Sequence, residues 1–316
     1  MRQVTINSPA RIHLGFLDLS FTNIRNFGSL GLTISDFETV IQIKKSKKFE
    51  IVGHSSQKAL NVFNKLKKFY SFCPCKINIL KSIPEHVGLG SGTQLALSLS
   101  LVLAKISKIN IPFEEFVKVC GRGQRSSVGI NCFRKGGFIV DAGKEKKSDN
   151  LSPLIFHNSW PEDWKIILLM ERNIKGIYGQ KEKSEFIKIS KEKIQPKNNN
   201  FETLVMNIIP SIIEKNFEMF CKGISKIQKT TGEYFVEAQG GLYTSKNVEK
   251  IFMKLEKNGY EGYGQTSWGP TGFIFCKNGN EQENMLKLIK KEIILNDMNS
   301  ITLSLVSGRN KGYYFS

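Results

Sequence analysis

Residues 84–94 read Pro84-Glu85-His86-Val87-Gly88-Leu89-Gly90-Ser91-Gly92-Thr93-Gln94, and the chain then runs apolar from Leu95 to Ile106 apart from Ser98, Ser100 and Lys105. The glycines tolerate positive φ and let a backbone approach an anion closely, and Ser91 and Thr93 add hydroxyl donors. The apolar run predicts a helix from Thr93 to about Lys108, apolar almost all round and therefore buried. Its free N–H groups and positive dipole end face the loop. Two readings follow: an ordinary tight strand-to-helix turn, or a phosphate cradle made by Gly88, Gly90, Ser91, Gly92 and Thr93. Three small polar residues before a buried helix favour the cradle. The loop has no Gly-Lys-Ser/Thr ending and no full dinucleotide fingerprint.

Outward from the loop, Lys76–Leu80 alternates as a strand, and Gln57–Phe72 carries apolar residues at helical spacing. Val4–Pro9, Ile12–Phe16 and Thr39–Ile43 read as strands, the last after a glycine-punctuated stretch, Gly28–Gly31. Downstream come a short helix, Pro112–Cys120, a Gly/Ser/Arg-rich segment and a strand, Gly137–Asp141. Charge, Asn, Ser and Pro cluster over 144–161, which marks a boundary and divides the chain into domains 1–155 and 156–316. The second half predicts strands at Trp164–Met170, Thr271–Cys276, Ile301–Val306 and Gly312–Phe315. Helices are expected at Phe201–Thr231, divided by Pro210, at Lys246–Asn258 and at Glu281–Ile294, with a mobile loop over 191–200. The pattern is α+β, a sandwich in each half.

At 316 residues each half can bury its own core. The N-terminal Gln-Val-Thr-Ile-Asn run has no signal-peptide character, and the most apolar stretch is too short to span a bilayer. A soluble, cytoplasmic protein without membrane contact is expected. The six cysteines are scattered and lack the paired spacing of a zinc site. The net charge of +18 comes from diffuse lysines without interleaved aromatics, which reads as a solvated surface and argues against a nucleic-acid track. Such a surface also steers anionic substrates.

Pro84 with Gly88-Leu89-Gly90-Ser91 resembles the second motif of the galactokinase, homoserine kinase and mevalonate kinase superfamily. The longer stretch His86–Gln94 looks more like one branch, the β-ribofuranosylaminobenzene 5′-phosphate synthases. Ser8–Leu19 with Arg25-Asn26 and Gly28–Leu32 is similar to that branch's opening, and Gly121–Gly123, Ser126–Ile130 and Gly136–Gly143 to its middle motif. Gly264–Thr271 resembles its third motif, and Gly176, Gly179, Glu182 and Phe186 fall at its spacings. The resemblance implies a two-domain GHMP-kinase-like fold. Its N-terminal domain would be ribosomal protein S5 domain 2-like and would hold the phosphate loop. Its C-terminal domain would be a ferredoxin-like α/β sandwich.

The superfamily's kinases carry Ser-Gly-x-Asp with that Asp seven positions before Gly-Gly; here the position is Gly129, counting back from Gly136. A glycine gives no general-base help, worth roughly 10² to 10⁴ in rate. Asn131 or Asp141 are conceivable substitutes, but Asp141 ends a strand and fits a turn cap better. An ATP-dependent small-molecule kinase is thus the alternative reading.

The branch implies condensation of phosphoribosyl pyrophosphate with 4-aminobenzoate or 4-hydroxybenzoate. Carbon dioxide and pyrophosphate leave, in the biosynthesis of tetrahydromethanopterin. The expectations are Mg²⁺ with Ser91 as a possible ligand, and a homodimer. Pyrophosphate would be held by the glycine loop, with Arg122 and Arg125 clamping and Ser126 and Ser127 donating. Asp18, or second His13, would act at the para substituent, and Arg25 would grip the carboxylate. Each has a plainer alternative: Asp18 caps a turn near Asn23, Arg122 satisfies helix carbonyls, and His13 is structural. Thr266 and Ser267 either bind phosphate or turn the chain, and Trp268 reads more as packing than as substrate stacking.

Overall fold

The computed structural model describes residues 3–19, 23–146, 148–176, 184–188 and 200–316. The mobile loop expected over 191–200 lies outside these apart from Asn200, as do Gly179 and Glu182.

Two long antiparallel strands, β1 (Gln3–Asp18) and β2 (Arg25–Lys45), organise the first half. β1 is one strand where alternation suggested two. β2 absorbs the stretch Gly28–Gly31 because Ser29 and Gly31 pair with Phe16 and His13. β3 (Glu50–Gly53) and β4 (Cys75–Lys81) extend the sheet in the order β12-β1-β2-β4-β3, and β5 (Phe138–Asp141) and β6 (Lys144–Glu145) also pair with β2. β7 (Leu154–Asn158) pairs with β5 and spans the 155/156 division. β12 (Tyr314–Phe315) returns to β1, so the chain's end belongs to the first sheet.

α1 (Ser56–Leu66) and α2 (Ser91–Ser107) cover one face of this sheet, sharing a core with α3 (Phe113–Val119) and α4 (Val128–Lys135). The second sheet is antiparallel, ordered β11 (Ile301–Ser307), β8 (Lys165–Glu171), β10 (Thr271–Cys276), β9 (Tyr263–Gln265). α5 (Phe217–Gln239) lies between the sheets: Phe220, Ile224 and Ile227 share one cluster with Ile12 and Leu14 of β1 and with Phe273 and Phe275 of β10. α6 (Lys246–Lys257) and α7 (Gly279–Leu295) cover the sheet's other face.

The helix break expected at Pro210 falls elsewhere. Pro210 lies inside an unbroken helical run from Asn200 to Glu214, directly after a π-helical segment, Leu204–Ile208, whose wider turn accommodates the missing N–H. The break is at Lys215, in the left-handed conformation with φ 56°, followed by Asn216, whose side chain caps Met219 N–H at 3.1 Å. No helix among the described residues is long and apolar enough to cross a membrane.

Candidate active site

The loop at the start of α2 is held from three sides. Leu89 is buried in the core between the sheets, and Arg11 N–H donates to Leu89 O at 3.2 Å. The Arg11 guanidinium donates to Gly88 O, and the Thr266 hydroxyl donates to the same oxygen at 2.8 Å. Thr266 Oγ1 also accepts the His13 backbone N–H at 2.9 Å, so one hydroxyl ties β1, the loop and the turn after β9 together. Gly88 and Gly90 have φ of +85° and +88°, and Gly90 caps the helix. A Cβ at Gly88 would stand 2.3 Å from Thr266 O. We expect Gly88→Ala to cost about 3 kcal/mol or more, from left-handed strain and displaced backbone together. A thermal melt within about 1 °C of wild type would refute this.

Opposite the loop, α3 ends and residues 121–127 cross the helix start. A Cβ at Gly92 would lie 3.2 Å from Arg122 Nη1, which places that guanidinium directly over the first turn of α2. Arg122 has its pKa lowered by burial, its Nε has no hydrogen-bond partner, and no carboxylate is paired with it among the described residues. Asp141 braces the segment: buried at the end of β5, it accepts Ser127 N–H at 2.8 Å, Gly143 N–H at 2.9 Å and the Ser126 hydroxyl at 3.1 Å. Burial pushes its pKa up to about 6 even so. Asp141 is thus a clamp for the arginine segment, committed to three donors.

Loop and segment enclose an open cleft of about 500 Å³. Of the residues expected to bind phosphate, Gly88, Gly90, Ser91, Gly92, Thr93, Arg122, Arg125, Ser126 and Ser267 line it. Ser127 and Thr266 are buried behind it, holding the loops rather than facing the cleft. His13 lines it with Arg11, and both Lys58 and His86 reach its rim. Among the described residues its lining contains no carboxylate, and Gly129 stands in the wall facing Thr93. His13 is buried and neutral, its pKa pushed down to about 3 by burial and then by Arg11 and Arg125.

Asp18 and Arg25 are not brought to this cleft. β1 continues past the loop, and Asp18 lies five residues beyond His13, roughly 16 Å along an extended strand. Its carboxylate accepts Asn23 Nδ2 at 3.0 Å, the turn role weighed for it. Arg25 donates to Gly143 O at 3.1 Å and pairs with Glu145 at 3.7 Å, half-exposed. Both line a separate recess with Ile24, Gly28 and Phe201. Arg11 was the missed residue: its alternation with Ile12 and Leu14 put it on His13's face of β1, but only the loop's position shows that this face meets the glycines.

The GHMP kinases N-terminal domain family matches residues 57–138, the stretch from α1 through the loop to the start of β5. The fold is similar to the crystal structure of Methanococcus jannaschii mevalonate kinase, with a TM-score of 0.66 at 16% identity, covering 97% of this chain and 98% of that one. The chain belongs to the GHMP kinase superfamily. It is similar along its length to the beta-ribofuranosylphenol 5′-phosphate synthase of Methanothermobacter thermautotrophicus, 28% identical over 99% of this chain and 98% of the relative. The enzyme of that name from Methanocaldococcus jannaschii is 29% identical over 85% and 88%. Within the superfamily the chain therefore stands in the β-ribofuranosylaminobenzene 5′-phosphate synthase branch.

Proposed function

We propose that the protein joins phosphoribosyl pyrophosphate to 4-hydroxybenzoate or 4-aminobenzoate, as in tetrahydromethanopterin biosynthesis. The ring carbon bearing the carboxylate forms a bond to ribose C1 as the C1–oxygen bond breaks and pyrophosphate leaves with the electron pair. The bond to the carboxylate then breaks, its electrons return to the ring, and carbon dioxide departs. The product is a β-ribofuranosyl-arene 5′-phosphate. The observation that carries this reading is the Arg122 cation, held over the glycine loop with no carboxylate paired to it among the described residues, in a cleft lined by Arg11 and Arg125. Such a cleft binds a polyanion and stabilises charge on a leaving diphosphate. Gly129, where a kinase base would stand, disfavours phosphoryl transfer to a hydroxyl. The names of the similar synthases support the phenol product.

Mg²⁺ belongs to this proposal as a companion of the substrate. No group of three His, Cys, Asp or Glu able to hold a metal occurs among the described residues, and their part of the cleft lining offers hydroxyls such as Ser91 and Thr93 but no carboxylate. That donor set does not fit an ion held by the protein. It fits one whose ligands are mostly phosphate oxygens and water. The test is release of labelled carbon dioxide from carboxyl-labelled 4-hydroxybenzoate and 4-aminobenzoate. We expect release only with phosphoribosyl pyrophosphate and Mg²⁺ both present; none from folded protein would overturn the assignment.

A further inference from the structure

Behind the cleft's inner wall lies a second pocket, formed where β1, α5 and the turn 265–268 meet, and Phe16, Phe186, Phe235 and Trp268 stand in its walls. Trp268 and Phe16 belong to both spaces, as do His13 and Ser267. Phe235 meets the Trp268 ring edge-on at 4.6 Å, and Phe186 stacks on it at 4.6 Å with 27° between the planes. The Arg125 guanidinium lies over the same Phe186 ring, 4.4 Å from its centre. A phenyl ring thus sits between an indole and an arginine at the mouth of the cleft. The free space that remains is about 30 Å³, room for one water, so another ring enters only where Phe186 gives way.

The pocket also holds polar atoms that none of the described residues satisfies: Trp268 Nε1, His13 Nε2 and Thr231 Oγ1 are buried without a hydrogen-bond partner among them, and all three residues line it. Three such atoms in one pocket are unusual, because each orphan costs about 1–3 kcal/mol. The neighbouring glutamines are spent on structure. Gln228 donates to Leu14 O at 2.9 Å and accepts Gln265 N–H at 2.8 Å, and Gln265 donates to Ser267 O at 2.9 Å. Gly15 N–H points at His13 Nδ1 at 3.4 Å, so the proton of the neutral imidazole belongs on Nε2. The His13 N–H and the Thr231 hydroxyl ask for a ligand oxygen.

We propose that this pocket is the acceptor-ring subsite. The arene takes the slot on Trp268 that Phe186 fills here, and its para oxygen is held by the Thr231 hydroxyl and the Nε2–H of His13. The proposal rests on the synthase reading and deepens it. It sets the ring with its para oxygen inward and its carboxylate-bearing carbon toward the cleft, where the ribose would lie. Donors on the para oxygen would favour phenolate character, which enriches the ring carbon para to it. Trp268, Thr231 and Phe186 then become specificity-determining residues.

Binding titrations followed by tryptophan fluorescence test this, with 4-hydroxybenzoate, with benzoate lacking the para oxygen, and with phosphoribosyl pyrophosphate. Thr231→Val keeps the side chain's shape and removes the hydroxyl. We expect it to weaken 4-hydroxybenzoate about tenfold, leaving benzoate and phosphoribosyl pyrophosphate unchanged; retained phosphoribosyl pyrophosphate binding also shows that the variant is folded. Phe186→Ala removes the competing ring and should tighten both benzoates several-fold. Equal losses for all three ligands with Thr231→Val, or weaker benzoate binding with Phe186→Ala, overturn the subsite. The two readings fail separately. Wild-type turnover with acceptor binding indifferent to both variants removes the subsite and leaves the synthase. Selective 4-hydroxybenzoate binding without carbon dioxide release removes the synthase and leaves the subsite.

Discussion

Arg122→Ala is expected to lower kcat/KM for phosphoribosyl pyrophosphate by at least a hundredfold while leaving the protein as stable as wild type or more so. The activity loss follows from what the guanidinium lacks. It stands over the first turn of α2 against Gly92, and no carboxylate among the described residues neutralises it. A diphosphate is the partner that completes it, and a charge-assisted bond lost on each of two oxygens amounts to about 3 kcal/mol, or over a hundredfold in rate. The stability expectation has the opposite sign for the same reason. Burial already disfavours this charge, as its lowered pKa shows, so removing it relieves an uncompensated cost. A gain of ~1 kcal/mol would raise Tm by about 2 °C. Arg122→Lys keeps the charge without the planar fork and should recover part of the rate. A structural Arg122 that merely capped α3 would show the reverse pattern, a lower Tm with kinetics intact. Steady-state kinetics beside a thermal melt separates the two.

The contrast between Arg122 and the acidic candidates shows where sequence reading works. The glycine loop was legible because loop, cap and buried helix are consecutive, and local chemistry decides local structure. Arg122 to Ser126 were legible for the same reason, as a Gly/Ser/Arg-rich segment after a short helix, although the helix α4 that follows them was not read from the sequence. Asp18 and Arg25 were candidates because they fall, with His13, in the stretch that resembles the branch's opening. Along a strand, nearness in sequence is misleading, since five residues carry a side chain into another recess. The ring pocket was not legible at all. Its walls come from residues 13–16, 186, 228–242 and 265–268, joined only when α5 packs between the sheets. Trp268 shows the limit most directly: both the packing and the stacking reading describe it, because it is buried against Phe235 and still borders the cleft. The break at Lys215 was hidden by Pro210, which looks like a breaker but is accommodated within the helix by the π-helical segment Leu204–Ile208 before it.

His13 should leave a mark on the pH dependence of stability, and Asp141 should oppose it. His13 has a folded pKa of about 3 against 6.5 unfolded, so the unfolded chain takes up its proton first as pH falls. Its contribution is complete above pH 6.5 and is lost below it; by pH 5 the loss is about 2 kcal/mol. Asp141 has the reverse displacement, about 6 folded against 3.8 unfolded, so the folded state takes up its proton first. Its contribution is present at low pH and lost as pH rises through about 6, so that moving from pH 8 to pH 5 gains ~1.4 kcal/mol. The two nearly cancel, and wild-type unfolding free energy should fall by less than ~1 kcal/mol from these groups together. Substitution unmasks them. Relative to wild type, His13→Gln should gain about 2 kcal/mol of stability on going from pH 8 to pH 5, whereas Asp141→Asn should lose about 1.4 kcal/mol over the same interval. His86 and His157 also have lowered pKa values, but both are unchanged in every variant and drop out of the differences. Urea unfolding of the three proteins at pH 5 and pH 8 gives the answer. Parallel shifts in wild type and His13→Gln would mean that His13 has the same pKa folded and unfolded, and that its burial does not hold it neutral below pH 6.5.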